Sequence, residues 1–432
     1  MKGKRKRPYL WIPTLFSAEA LPMAIVTFVS TLMFIQTDTP NSLTTLYCAL
    51  ILTPWVFKPF LKRINTWATH TVCCLRWAEV IIFFCLIALA FSMSKASAPM
   101  MTIILFIMST VCAWHSILTK IYFNRRMEKS ERLVFRSVVT TSYQASTIIT
   151  YGLHIILVGG LEVFFKNLHD RYSISWSMGT YMLAGIFFTI MVVNFAILTN
   201  AHRNEESTNH DMAIQHIDKL AWKGGLSKRS IITIIALMLL VLPQSLMFYA
   251  RVFFLYMPVR NGGLGCSMQE IGFAQGTIGV MAFALGISIG RHIVNKRLST
   301  STLWIQTVVF TLSPLFYFLM TYQHPQGITQ LCVMTFLSQI CFGFGFNCCL
   351  PLIGQLTGNK HKLANNYLQI PLLVAIMIPP LAISGTLVSN LGFHNFFLID
   401  CLTAPIAWIF LIATRTITNC IQQTTTPITS TQ

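Results

Sequence analysis

Residues 12–34 read Ile-Pro-Thr-Leu-Phe-Ser-Ala-Glu-Ala-Leu-Pro-Met-Ala-Ile-Val-Thr-Phe-Val-Ser-Thr-Leu-Met-Phe. At about 1.5 Å per residue, a helix of this length crosses about 30 Å of hydrocarbon. The run holds one ionisable side chain, Glu19, and a proline, Pro22, three residues later. Backbone amides in lipid find no water, so such a run has to bond to itself as a helix. The basic stretch Lys2-Gly-Lys-Arg-Lys-Arg7 precedes it. A cleaved signal peptide has a shorter apolar core and a small-residue cleavage site, so a retained first helix is expected.

The same pattern recurs along the chain. Further runs are predicted near Leu43–Pro59, Val72–Ser92, Met101–Tyr122, Val138–Leu161 and Trp176–Leu198. After a polar stretch come Ile231–Met257, Ile271–Gly290, Leu303–Thr321, Ile328–Leu350, Tyr367–Ser389 and Phe396–Thr414. The second run is the weakest, interrupted by Pro54 and closed by Lys58-Pro59. Of the 432 residues 54% are hydrophobic and only 10% charged, where a soluble domain carries about a quarter charged. Membrane β-barrels alternate apolar and polar residues in segments of about ten, unlike this chain. The expected fold is an all-α membrane protein of about twelve transmembrane helices in two six-helix halves.

A formal charge of +18 would suit a nucleic-acid partner, but its distribution argues against one. Basic residues gather at Lys2–Arg7, Lys58–Arg76, Lys120–Arg136, Arg203–Arg229, Arg291–Arg297 and Lys360–Lys362, on alternate sides of successive runs. The intervening loops hold Lys95, Lys166, Arg171 and Arg260. An excess of basic residues marks cytoplasmic loops. The charge therefore predicts an inner-membrane protein with N-terminus, central loop and C-terminus in the cytoplasm, and the bilayer as its partner.

The twelve cysteines are scattered, and the adjacent pairs Cys73-Cys74 and Cys348-Cys349 lack CxxC spacing. They read as small packing residues. Neither a zinc motif, a nucleotide-binding loop nor a GxSxG elbow is present. No cofactor, metal, catalytic role or stable protein partner is expected. Without an ATP site, uphill movement of a solute would draw on an ion gradient, with protons the default.

Two-half repetition leaves a trace. Leu21-Pro22 in the first run matches the depth of Leu242-Pro243 in the seventh, and Ser109-Thr-Val-Cys112 echoes Ser338-Gln-Ile-Cys341. Ser42 before the second run answers Ser267 before the eighth, where Ser267-Met-Gln-Glu270 forms a capping box. Prolines breaking corresponding helices of two halves point to a transport site.

Ionisable residues at membrane depth are costly and normally face a cavity or a partner. Glu19, beside the Pro22 break, is the leading candidate to carry a proton; its alternative is a structural bond between two helices. His115 belongs to the residue type that changes charge nearest neutral pH; it lines the pathway or packs as a neutral ring. Arg251 holds an anionic group through its fork or snorkels to the outer interface. Gln144 and Gln244 complete the pathway candidates. His154 has no polar company in the sequence. Glu79 is expected to pair with Arg76 one turn away, and Asp400 to lie near the outer surface, solvated. Gly343 and Gly345, in Phe342-Gly-Phe-Gly-Phe346, allow close helix approach or present aromatics to a substrate.

Several stretches resemble the AmpG-like permeases of the major facilitator superfamily, in their Bacteroidetes-type form. They are Tyr9-Leu-Trp-Ile-Pro-Thr-Leu-Phe16, Ala18-Glu-Ala-Leu-Pro22, Pro54-Trp-Val-Phe-Lys-Pro59, Gly263-Leu-Gly265, Gly276-Thr-Ile-Gly-Val280, Phe342–Phe346 and Leu391-Gly-Phe-His-Asn-Phe-Phe397. Their order runs across nearly the whole chain. The resemblance implies the major facilitator fold and import of anhydro-muropeptides from cell-wall turnover. The chain diverges in carrying Phe60-Leu-Lys-Arg63 where the family has acidic residues. His115, Thr119 and Lys120 stand where it has an Asp-x-x-x-Asp-Gly pattern, and Tyr143-Gln144 where it often has Tyr-Arg.

The expected organisation is an N-terminal half over 1–200, a linker over 201–229, a C-terminal half over 230–415 and a tail over 416–432. The Asp211–Trp222 part of the linker suits a short surface helix, and the Thr-rich tail suits disorder. The expected function is secondary transport, proton-coupled, of a muropeptide or other sugar or peptide solute through a cleft between the halves. The alternative is a transporter-like sensor or scaffold that has lost transport.

Overall fold

The computed structural model describes residues 8–59, 61, 71–95, 97–198, 228–296, 298–323, 325, 327–357, 362–418 and 420. The segment 199–227, with most of the expected linker, and residues 421–432 of the tail lie outside these.

Among the described residues ten helical stretches are long and apolar enough to cross a membrane. The last, Ile370–Ala413, turns at Gly392, where φ is +73°. Glycine enters that region without a Cβ penalty, so two passes share one continuous stretch. Asn41–Val56 is a further, shorter helix that runs through Pro54. Twelve passes result: α1 Pro8–Gln36, α2 Asn41–Val56, α3 Thr71–Ser94, α4 Ala98–Arg126, α5 Arg136–Phe164, α6 Arg171–Ile197, α7 Lys228–Tyr256, α8 Met268–Lys296, α9 Thr300–Tyr322, α10 Ile328–Leu356, α11 over 362–391 and α12 over 393–413. No strand occurs among the described residues.

Two compact units hold these helices: Met1–Asn209 with Ser267–Thr277, and His210–Cys266 with Ile278–Gln432. The first part of α8, up to Thr277, thus belongs with the first unit. In the first unit Trp11, Leu15, Leu75, Leu118, Tyr122 and Leu198 form a buried cluster joining α1, α3, α4 and the end of α6. In the second, Leu240, Leu303, Phe310, Leu352, Leu373 and Leu411 join α7 and α9 through α12. Phe84, Phe188, Ile305 and Ile409 stand exposed on the outside of their helices. In water such a surface would aggregate; around a membrane helix bundle it meets lipid tails.

The two prolines behave differently. Past Pro22, α1 switches to a π-helical stretch over Ile25–Val29. By contrast, α7 runs as one α-helix from Lys228 to Tyr256 across Pro243. The expected pair of broken helices is therefore a break in α1 alone. Further π stretches occupy Ile148–Leu153 of α5 and Gly272–Gly279 of α8. Phe28 and Tyr151 stack at 4.9 Å, joining the π stretches of α1 and α5. A Cβ on Gly276 would lie 2.1 Å from the Tyr151 carbonyl oxygen, so α5 and α8 meet backbone to backbone. The Ser267–Glu270 capping box that opens α8 is formed as expected.

Gly343 has the same use in the second unit. A Cβ there would lie 2.2 Å from the Phe283 carbonyl oxygen, and one on Gly345 would lie 2.3 Å from Phe310 Cβ. Of the two readings of the Phe-Gly-Phe-Gly-Phe run, this geometry carries helix packing.

Candidate functional site

Glu19 lies on α1, one turn before Pro22, and is only 7% exposed. Its Oε2 is fully buried and has no hydrogen-bond partner. The carboxylate lies within electrostatic reach of Lys58, Cys112 and Tyr143. Those residues follow α2, sit on α4 and sit on α5, so four segments converge there. Glu19 lies in the α-helical part of this helix, three residues before Pro22 and six before the π stretch begins at Ile25.

Lys58 is 4% exposed although it follows the end of α2 by only two residues. Its ammonium donates to Ser116 Oγ at 2.7 Å and sits 4.5 Å from the centre of the Trp55 ring. Lys120 adds a second positive charge acting on it. Cys112, Ser116 and Lys120 recur every four residues on α4, so one face of that helix looks onto the Glu19–Lys58 group. The sequence reading placed Lys58 at the end of a weak span, as a topology marker, and missed this role. A lysine directly before proline at the end of an apolar run was the available signal.

His115 precedes Ser116 and therefore belongs to the neighbouring face of α4. It is fully buried; its Nε2 lies 3.5 Å from Glu79 Oε1, and the Thr119 hydroxyl lies 3.3 Å from its Nδ1. With Thr119 donating to Nδ1, Nε2–H points at the carboxylate; this tautomer is assigned from the bonding pattern. Asn194 of α6 donates to the same Glu79 oxygen at 2.7 Å. Glu79 thus joins α3, α4 and α6, and does not pair with Arg76. Arg76 instead donates to the carbonyls of Phe195 and Leu198 and lies over the Phe195 ring. The next-turn rule failed because capping the end of α6 outweighs a surface pair worth a few tenths of a kcal/mol.

This buried carboxylate carries a stability prediction. Glu79→Ala leaves the Asn194 amide and the His115 ring without their acceptor, and is expected to cost about 3 kcal/mol. Thermal unfolding of the detergent-solubilised protein should show a clearly lowered midpoint; an unchanged midpoint would remove the structural assignment.

In the second unit Arg251 is 3% exposed, its Nε and Nη1 are buried without partners, and its guanidinium lies over Phe248. It does not snorkel to the interface. Gln244 donates from Nε2 to the Phe310 carbonyl at 2.6 Å, tying α7 to α9, which favours an anchoring role for that side chain. Asp400 is fully buried with both oxygens unpartnered, which corrects the expectation of a solvated residue near the outer surface. It sits between the contacts of Phe397 with Tyr317 and of Trp408 with Thr311, where α12 covers α9. His154 stands edge-on to Trp176, a packed ring. Gln144 is half-buried on α5, next to Tyr143.

The first unit thus brings Glu19, Lys58, Ser116 and Tyr143 together, with His115 on the adjoining face; Arg251 and Gln244 belong to the second. Among the described residues no group of three or more His, Cys, Asp or Glu could hold a metal.

No protein-family model matches the chain, and no curated protein sequence does. Solved structures match along nearly its whole length. The xylose transporter XylE from E. coli, in an inward-open conformation, aligns with TM-score 0.64 at 12% identity, over 93% of this chain and 95% of its own. The nucleoside transporter NupG aligns at 0.67 and 13%, over 96% and 99%. A bacterial homologue of the human lysosomal transporter Spinster aligns at 0.68 and 11%, over 97% and 99%. Identities this low speak for the fold, and they agree with the helix count and with the two units. The chain has the major facilitator fold.

Proposed function

We propose that the protein is a secondary transporter in the bacterial inner membrane, coupling solute movement to protons. The observation that carries this reading is Glu19, a buried carboxylate with an unpartnered oxygen beside the break in α1. A group so placed exchanges a proton when the pathway opens and holds one when it closes. The fold supports the reading by analogy, since the similar structures are transporters of xylose and of nucleosides. The proposed halves are 1–200 and 230–415, with cytoplasmic termini, a topology supported by the basic loops. His115 acts as a proton partner of the pathway, and Arg251 as a contact for an anionic group of the solute.

The proposed cargo is a sugar- or peptide-bearing fragment, with cell-wall muropeptides first on the strength of the sequence resemblance. The test is uptake into liposomes holding the purified protein, with an imposed proton gradient and radiolabelled sugars, nucleosides and muropeptides. Saturable accumulation that collapses with a protonophore is the expected result. Binding of a fragment without accumulation under any gradient would replace transport with sensing.

A further inference from the structure

We propose that Lys58, with Ser116, Trp55 and Lys120, forms a subsite that recognises a carboxylate on a sugar-bearing solute. The inference names the substrate class for the transport reading and rests on it.

An ammonium carries three N–H donors. The Lys58 ammonium gives one to Ser116 Oγ, and an aromatic face at 4.5 Å covers another direction. Trp55, 3% exposed, has its indole Nε1–H buried beside it without an acceptor. The first unit therefore holds a buried cation and a buried neutral donor next to each other, with donors to spare. A carboxylate has two oxygens that accept from both.

Charge points the same way. Among the groups acting on Lys58, Glu19 is the counter-charge. Lys120 opposes it with a second positive charge. In a region of low dielectric an anion gains more from two nearby cations than it would in water, and a neutral solute gains nothing from them. Protonation of Glu19 removes a negative charge that competes with the anion for Lys58. Anion binding and protonation of Glu19 thus favour each other, which is the coupling a symporter needs.

The test measures thermal stability of the full-length protein in detergent with four probes: N-acetylmuramate and glucuronate, which carry carboxylates, and N-acetylglucosamine and glucose, which do not. The wild type is expected to be stabilised by the carboxylated pair only. The apparent affinity should fall by roughly tenfold or more in Lys58→Gln, the scale of one charge-assisted hydrogen bond. It should persist in part in Lys58→Arg and weaken in Lys120→Gln, so the result does not depend on one variant folding. Equal stabilisation by the neutral sugars, no stabilisation by either carboxylated probe, or an unchanged anion response in Lys58→Gln would each overturn the subsite. Proton-driven uptake of a neutral sugar would overturn the subsite and keep the transport reading. Anion binding without uptake would do the reverse.

Discussion

Glu19→Gln is expected to lower proton-driven accumulation by roughly a hundredfold, the scale on which loss of a proton-transferring side chain acts. Glutamine keeps the size and most of the polarity of glutamate but cannot take up and release a proton. Net accumulation against a gradient should therefore fail. Exchange of labelled for unlabelled solute across the membrane, which moves no net proton, should persist within a few-fold. Two measurements on one preparation separate these steps: uptake under an imposed proton gradient, and counterflow at equal pH on both sides. Accumulation by the variant at the wild-type rate would end the assignment. Loss of both activities would show instead a structural role for Glu19, which the neighbouring Lys58 makes testable. If Glu19 serves only to balance that cation, Glu19→Gln combined with Lys58→Gln should recover exchange and thermal stability.

The second large effect concerns folding. Gly276→Ala places a methyl group 2.1 Å from the Tyr151 carbonyl oxygen and 2.5 Å from the Gly152 nitrogen. Both neighbours are backbone atoms of α5 and cannot turn aside, so the helices have to separate. A loss of about 3 kcal/mol is expected, the upper range of overpacking. Gly343→Ala, with a methyl 2.2 Å from the Phe283 carbonyl oxygen, should cost a similar amount. Gly185→Ala is the control, since nothing lies within 4 Å of a Cβ there. That change should leave the unfolding midpoint unmoved or slightly raised, because alanine favours the helix. Equal midpoints for Gly276→Ala and Gly185→Ala would mean that the close approach of α5 and α8 does not hold in the protein.

The helix count, the all-helical character of the described residues and the apolar outer surface were legible from residue order alone. Lipid offers backbone amides no other partner, so a run of about twenty apolar residues has one solution wherever it occurs. Glu19 stood out for the same reason: a lone carboxylate in such a run is costly enough to need an explanation. Partners were not legible. Glu79 looked paired with Arg76 because they share one helix, yet its partners are on α4 and α6. Asp400 looked solvated because its neighbours in the chain are near an end, yet it is fully buried. Pro22 and Pro243 match in sequence and differ in outcome, a π stretch following the first and none the second. Lys58 shows the division most plainly. Its sequence position marks the edge of the membrane, and only the folding of α4 against α2 brings Ser116 within 2.7 Å and makes it a buried cation beside Glu19.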